Sequence, residues 1–292
     1  MDRKFFGWRG IRNLAVKSIG WRQLARRLKM PTRNRPNQAG NRTLEWDKDN
    51  FKLDGLTFIL EFGPGIATAQ AKYPNFILMK SREMIEDYAA RLADRRFDNV
   101  LELGIMKGGS AAFFNALLKP ANHLAVDVYQ HESGLTDLAA IIGRDGRRFL
   151  ARYDISQTDT LRIARIFEEC FETDAHFDLI IDDASHNYDA SLAAFNGLFP
   201  LVKPGGIYAL EDWGWAHWGG AFQDPSHAEY QNPALSNLVL QCVLCSTSRA
   251  GAISRVDVTP NTAFIHRGAD PLLEQFDVAR AYLTRNREFH PL

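Results

Sequence analysis

Cysteine is scarce: Cys170, Cys242 and Cys245 are the three in 292 residues, too few for a disulfide framework. That scarcity fits a reducing compartment. Cys242-Val243-Leu244-Cys245 has C-x-x-C spacing, but one such pair inside the apolar run 238–244 reads as core packing, not as a zinc or redox site. No apolar run reaches the ~18–20 residues of a membrane span. Arginines interrupt the N-terminus throughout, so it carries no uninterrupted apolar stretch of a secretory leader. These absences lead to the expectation of a cytoplasmic protein.

Net charge is absent too, with 35 Lys and Arg against 35 Asp and Glu. The balance hides two unequal parts. Residues 1–42 hold twelve basic residues against Asp2 alone, about +11, which leaves about −11 for the remainder. An acidic body without an RNA-reading motif disfavours nucleic acid as the main partner. Phe5, Trp8, Ile11, Leu14 and Ile19, then Trp21, Leu24, Ala25 and Leu28, recur at helical spacing until Pro31. This predicts two short basic amphipathic helices, over about 11–19 and 21–29. Such an arm can pack on its own domain or on a second copy, lie on an anionic membrane, or grip phosphates. Residues 31–50 are polar and rich in Pro and Asn, which predicts a linker. The expected organisation is an arm and linker over 1–50, a cap segment over 51–96, and an α/β domain over 97–292. Within the cap, Met84, Ile85, Tyr88, Ala89 and Leu92 predict one face of a helix over about 81–96.

The α/β domain shows itself from Asn99 onward. Short apolar runs without helical period, Val100–Leu103, His123–Val126, Phe149–Tyr153, Leu179–Ile181 and Gly206–Leu210, read as buried parallel strands. Helical stretches over 111–118, 161–171 and 190–201 alternate with them. Two final runs, Ile253–Val258 and Thr262–His266, read as an antiparallel hairpin, and a further helix is expected near 233–245. Ligands of such sheets sit beyond the carboxyl ends of the strands. There the sequence concentrates acid: Asp182-Asp183 with Ser185 and His186 after one strand, and Glu211-Asp212 after the next. Like charges in such number need a cation or protons. A bound metal is the expectation.

The first strand runs into Gly104-Ile105-Met106-Lys107-Gly108-Gly109-Ser110, and the second ends in Asp127. Glycines let a backbone approach its ligand, and an acid in that place takes ribose hydroxyls. The G-x-G-x-x-G spacing of a pyrophosphate site is missing, and Glu102 stands just before the turn. An acid there repels pyrophosphate and suits a cationic ligand such as S-adenosylmethionine, which disfavours a nicotinamide dehydrogenase.

The stretches ELGIMKGGS, AVD, FDLIIDDASH, LFPLVKPGG and the strand ending in EDW resemble class I S-adenosylmethionine-dependent methyltransferases. Within that class they resemble the metal-dependent sugar O-methyltransferases of the macrocin and mycinamicin types and the cephalosporin hydroxylase-like group. The resemblance covers roughly 97–270. It implies a doubly wound, Rossmann-like sheet of seven strands with an antiparallel terminal strand. It implies Mg2+ on Asp183, Glu211 and Asp212, with His186 as general base. It implies S-adenosylmethionine contacts at Glu102, Gly104, Gly108, Ser110, Asp127, Asp154 and Asp182, with Gln157 and Asp159 bordering the adenine. The implied acceptor is a sugar or glycosylated metabolite, and a homo-oligomer is expected. An RNA or catechol-type methyltransferase, or a non-catalytic binding or assembly protein of the same fold, are the competing readings. Trp213, Trp215 and Trp218 are expected to divide between core and acceptor wall, and His217 and His227 are given no role.

Overall fold

The computed structural model describes residues 43–131, 134–272, 275–287 and 289, so the predicted helices of the basic arm lie outside the described residues. A small sheet comes first, formed by β1 (Glu45–Asp47), β2 (Asn50–Leu53), β3 (Leu56–Leu60) and β4 (Asn75–Leu78). Its order is β1-β2-β3-β4, antiparallel except for the parallel pair β3 and β4. The end of the expected linker therefore belongs to a hairpin, in which Trp46 faces Phe51. Aromatic packing overrides the polar composition there. Phe51 stacks on Phe58 at 4.8 Å, and both meet Phe113 in T-shaped contacts, at 6.0 and 6.1 Å.

Helix α1 (Arg82–Leu92) follows, capped where Ser81 accepts from the Met84 amide at 3.2 Å. Its buried residues are Met84, Ile85, Tyr88, Ala89 and Leu92, as the spacing predicts. The chain then alternates β5 (Asn99–Leu103), α2 (Gly109–Leu118), β6 (Asn122–Val126), α3 (Leu135–Arg144), β7 (Arg148–Arg152), α4 (Thr160–Phe171), β8 (Phe177–Asp182), α5 (Tyr188–Leu198) and β9 (Val202–Glu211). Helix α6 (Ser236–Ser248) and the hairpin β10 (Ile253–Val258) and β11 (Thr262–Arg267) complete the described chain. Helix α3 has no counterpart in the sequence reading.

The large sheet runs β10-β11-β9-β8-β5-β6-β7. Strands β9 through β7 are parallel, and β11 is antiparallel to β9, so the expected seven-stranded doubly wound sheet is present. Every residue of β5 and β6 is buried, which explains strands that are apolar on both faces. One core joins the small sheet, α1 and α2 to one face; the other packs α4, α5 and α6 on the opposite face. Cys242 and Cys245 sit in that second core, as core packing requires. Among the described residues no helix is long and apolar enough to cross a membrane.

Candidate active site

Strand order reverses between β5 and β8, and register brings their ends level. Leu103 pairs with Asp182, Asp182 with Leu210, and Glu211 with Thr262. The Asp183 amide donates to the Leu103 carbonyl at 2.9 Å. Gly104, at φ +95°, lies so close that a Cβ there would stand 2.1 Å from the Asp183 carbonyl oxygen. Only glycine lets the turn after β5 meet the end of β8. The crevice at this switch point is where ligands of open α/β sheets bind.

Three polar groups gather at its mouth. One ligand atom each from Asp183, His186 and Asp212 falls within 4.8 Å of the others. His186 Nε2 is 3.6 Å from Asp183 Oδ1 and 4.0 Å from Asp212 Oδ2, and each side chain is a quarter to a third exposed. Two of the three backbones are left-handed, His186 at φ +55° and Asp212 at φ +50°. Such conformations cost about 1 kcal/mol or more and persist where neighbours impose them. The Asp212 amide is tied to the Asn261 carbonyl at 2.7 Å, and Trp215 Nε1 donates to the His186 carbonyl at 2.9 Å.

Glu211 departs from the predicted ligand trio. Its side chain is 1% exposed, and the ammonium of Lys80, itself 2% exposed, is bonded to its Oε2 and to Asp183 Oδ2, the latter at 2.8 Å. Tyr88 donates to Glu211 Oε1 at 2.7 Å. Burial alone would depress the Lys80 ammonium, but Asp183 and Glu211 outweigh it and hold its pKa above the ordinary value. Burial and then Asp183 push the Glu211 carboxyl upward, opposed by Lys80 and Tyr88. Both Glu211 oxygens accept hydrogen bonds, the arrangement of an anion. Burial also raises the Asp212 carboxyl, against the pull of His186.

Asp182 also departs. It points into the core, where it accepts from the Tyr208 hydroxyl at 2.7 Å and from Gln157 Nε2 at 3.4 Å. Side chains alternate along a strand, so Asp182 and Asp183 face opposite ways. Burial lifts the Asp182 carboxyl to about 6. Gln157 is likewise inside, accepting from the Ser185 amide at 3.0 Å, and so braces the His186 loop instead of bordering the crevice. Asp159 stays in its own turn, accepting from the Ser156 amide at 3.4 Å.

The glycine-rich turn is held from below. Asp127 Oδ2 accepts from the amides of Ile105 and Met106 at 2.8 and 2.9 Å, and Oδ1 from Tyr129 at 2.9 Å. Gly108, at φ +78°, caps α2, and Ser110 is buried in its first turn. Glu102 is fully buried; both oxygens lack a hydrogen-bond partner, and His123 Nε2 stands 3.3 Å away. Asp154 is exposed and left-handed, φ +57°, just beyond β7. Trp213 donates to the Thr259 carbonyl at 2.9 Å. His217 bonds Ser236 at 2.7 Å, and His227 accepts from the Glu229 amide at 3.2 Å, so neither histidine joins the cluster.

Residues 101–213 match the family described as "Methyltransferase domain". This segment is similar to that methyltransferase family. The methyltransferase segment takes in Glu102 through Asp212 but leaves out Lys80 and Tyr88. Parts of the chain are similar to curated enzymes. It is 48% identical over 44 residues to the demethylmacrocin O-methyltransferase of Streptomyces fradiae, covering 15% of this chain and 11% of the relative. It is 37% identical over 76 residues to the mycinamicin VI 2''-O-methyltransferase of Micromonospora griseorubida, covering 23% and 19%. The chain thus spans less than a fifth of the length of either relative. Among solved structures it is similar to the MycE methyltransferase of mycinamycin biosynthesis in complex with Mg, SAH and mycinamycin VI. The identity is 22% and the TM-score 0.44, over 64% of this chain and 48% of that one.

Lys80 and Tyr88 escaped the sequence reading because their partners are more than a hundred residues away. Lys80 did leave a trace: it is a lone charge at the end of the apolar run Phe76-Ile77-Leu78-Met79.

Proposed function

We propose that the protein transfers a methyl group from S-adenosylmethionine to a hydroxyl of a sugar or glycosylated metabolite, with Mg2+ at the carboxylate cluster and His186 as general base. The observation that carries the reading is the meeting of Asp183, His186 and Asp212 within 4.8 Å at the switch point. Kinship of residues 101–213 with methyltransferases, and the sugar O-methyltransferases among the relatives, support it.

The residues fit both groups. Two carboxylates beside an imidazole suit a divalent ion, and Mg2+ is commonly held by one or two carboxylates with its other positions left to water and substrate oxygens. Asp183 and Asp212 would hold it. Bound there, the ion would lower the pKa of a neighbouring hydroxyl, which is otherwise far too weakly acidic to ionise near neutral pH. For the cofactor, the orphaned carboxylate of Glu102 beneath the turn suits a cationic ligand, and Gly104 and Gly108 let the backbone come close. S-adenosylmethionine supplies an electrophilic methyl.

The chain's own work is then positioning and proton removal. Asp127 fixes the turn by two amide bonds, from Ile105 and Met106. Trp215 and Gln157 hold the loop that carries His186. His186 takes the proton from the acceptor hydroxyl through Nε2, and the adjacent Asp183 and Asp212 stabilise the resulting imidazolium. Remaining proposals are the division of the chain at about 50 and 96, cytoplasmic localisation, self-association, and membrane contact by residues 1–30.

The test is calorimetric titration with S-adenosylmethionine, with and without Mg2+, followed by transfer of labelled methyl to rhamnosides and macrolide glycosides. Saturable one-site binding and Mg2+-dependent labelling are expected. A folded, cofactor-stripped protein that gives no heat would favour a binding or assembly role instead.

A further inference from the structure

The carboxylate cluster divides into a closed half and an open half. In the closed half Glu211 is 1% exposed, and each oxygen accepts a hydrogen bond, Oε2 from Lys80 and Oε1 from Tyr88. Both donors come from outside the methyltransferase segment, Lys80 just after β4 of the small sheet and Tyr88 from α1. In the open half Asp183 Oδ1, Asp212 and His186 remain a quarter to a third exposed.

Charge favours the same division. Asp183, Glu211 and Asp212 bring three negative charges, and Lys80 offsets one, so the cluster matches a single divalent ion. An ammonium lodged between Asp183 and Glu211 also takes the space that an ion shared by those two carboxylates would need.

We propose that Lys80 is a tethered cation that withdraws Glu211 from metal coordination and leaves one divalent site, on Asp183 and Asp212. The inference rests on the reading that this cluster binds Mg2+. Lys80 is a positioning residue: it acts through the two carboxylates it holds. It also links the small sheet to the metal site, because the ammonium reaches the cluster only while β4 stays docked on α2.

The test uses Mn2+ as the probe and electron paramagnetic resonance of free Mn2+ as the readout, on the full chain without cofactor or acceptor. Lys80→Met removes the charge at similar length and releases Glu211. It should bind Mn2+ about tenfold more tightly than the wild type, the scale on which groups around a metal tune affinity. The double variant Lys80→Met/Glu211→Gln has the wild-type net charge and the same two free carboxylates, so it should return to within about threefold of the wild type. A Lys80→Met variant that binds no more tightly overturns the proposal. So does a gain that survives in the double variant.

A second variant guards against a Lys80→Met chain that does not fold. With Lys80 holding Glu211 away from the ion, Glu211→Gln alone should change Mn2+ affinity by less than about threefold, whereas a loss of about tenfold or more would make Glu211 a ligand and overturn the proposal. The methyl-transfer reading fails separately, on the absence of heat with S-adenosylmethionine, which leaves the Mn2+ comparison intact.

Discussion

The indole N–H of Trp215 donates to the backbone carbonyl of His186 at 2.9 Å, across 29 residues of chain. His186 sits at φ +55°, so its loop is held in a conformation that the chain would leave if unsupported. A tryptophan from the segment after β9 thereby fixes the imidazole that follows β8. Trp215→Phe keeps most of the ring and removes the donor. We expect a stability loss of about 1 kcal/mol in urea unfolding, with kcat lowered several-fold and the affinity for S-adenosylmethionine unchanged. A variant with wild-type kcat would show that the loop holds itself.

Much of the large sheet was legible because burial writes short apolar runs into the inner strands β5, β6, β8 and β9, and β7 at the sheet's edge keeps one in Phe149-Leu150-Ala151. The acids at the strand ends were legible for the same reason: a charge that ends such a run stands at the sheet's edge. Direction was not. Asp182 and Asp183 are neighbours in sequence, yet alternation sends the first to Tyr208 in the core and the second to the crevice. The small sheet was illegible because its strands have three to five residues and the first of them lies in polar sequence. Its cohesion comes from Phe51 and Phe58 meeting Phe113, with Phe76 stacked on Phe58, contacts that no local pattern announces.

The docking of that sheet hinges on Gly109. A Cβ there would stand 2.0 Å from the carbonyl oxygen of Ile77 in β4, and backbone cannot yield as a flexible side chain does. Gly109→Ala should destabilise the protein by about 2–4 kcal/mol in urea unfolding. Amides of β3 and β4 should lose hydrogen-exchange protection before those of β5 and β8. Uniform loss across both sheets would mean that they unfold as one unit.

Asp182 gives a pH dependence with a definite sign. Burial raises its carboxyl from 3.8 to about 6, so the folded state binds its proton more tightly than the unfolded state does. The stabilisation is fully present below pH 3.8 and is lost as pH rises through about 6. Asp182→Asn keeps an acceptor for Tyr208 and has no such titration. The stability of the wild type relative to the variant should therefore fall by on the order of 3 kcal/mol between pH 4 and 6.5 and be level above. A difference constant across that window would place the titration elsewhere.

His186 stands 3.6 Å from Asp183 and 4.0 Å from Asp212, close enough to act either as a base or as a third metal ligand. The two roles separate in one variant. As the base, His186→Ala should lower kcat by about 10²–10⁴-fold while Mn2+ affinity stays within a few-fold of the wild type. As a ligand, its loss should weaken Mn2+ binding by about tenfold or more. The protein context favours the base. Mg2+ prefers oxygen donors, and Asp183 and Asp212 already provide them, so the imidazole remains free to meet the acceptor hydroxyl. Its carbonyl is pinned by Trp215 and the preceding amide by Gln157, which leaves the ring as the part of the residue turned to the mouth of the crevice. Mn2+ affinity and kcat measured on the same preparation of His186→Ala decide between them.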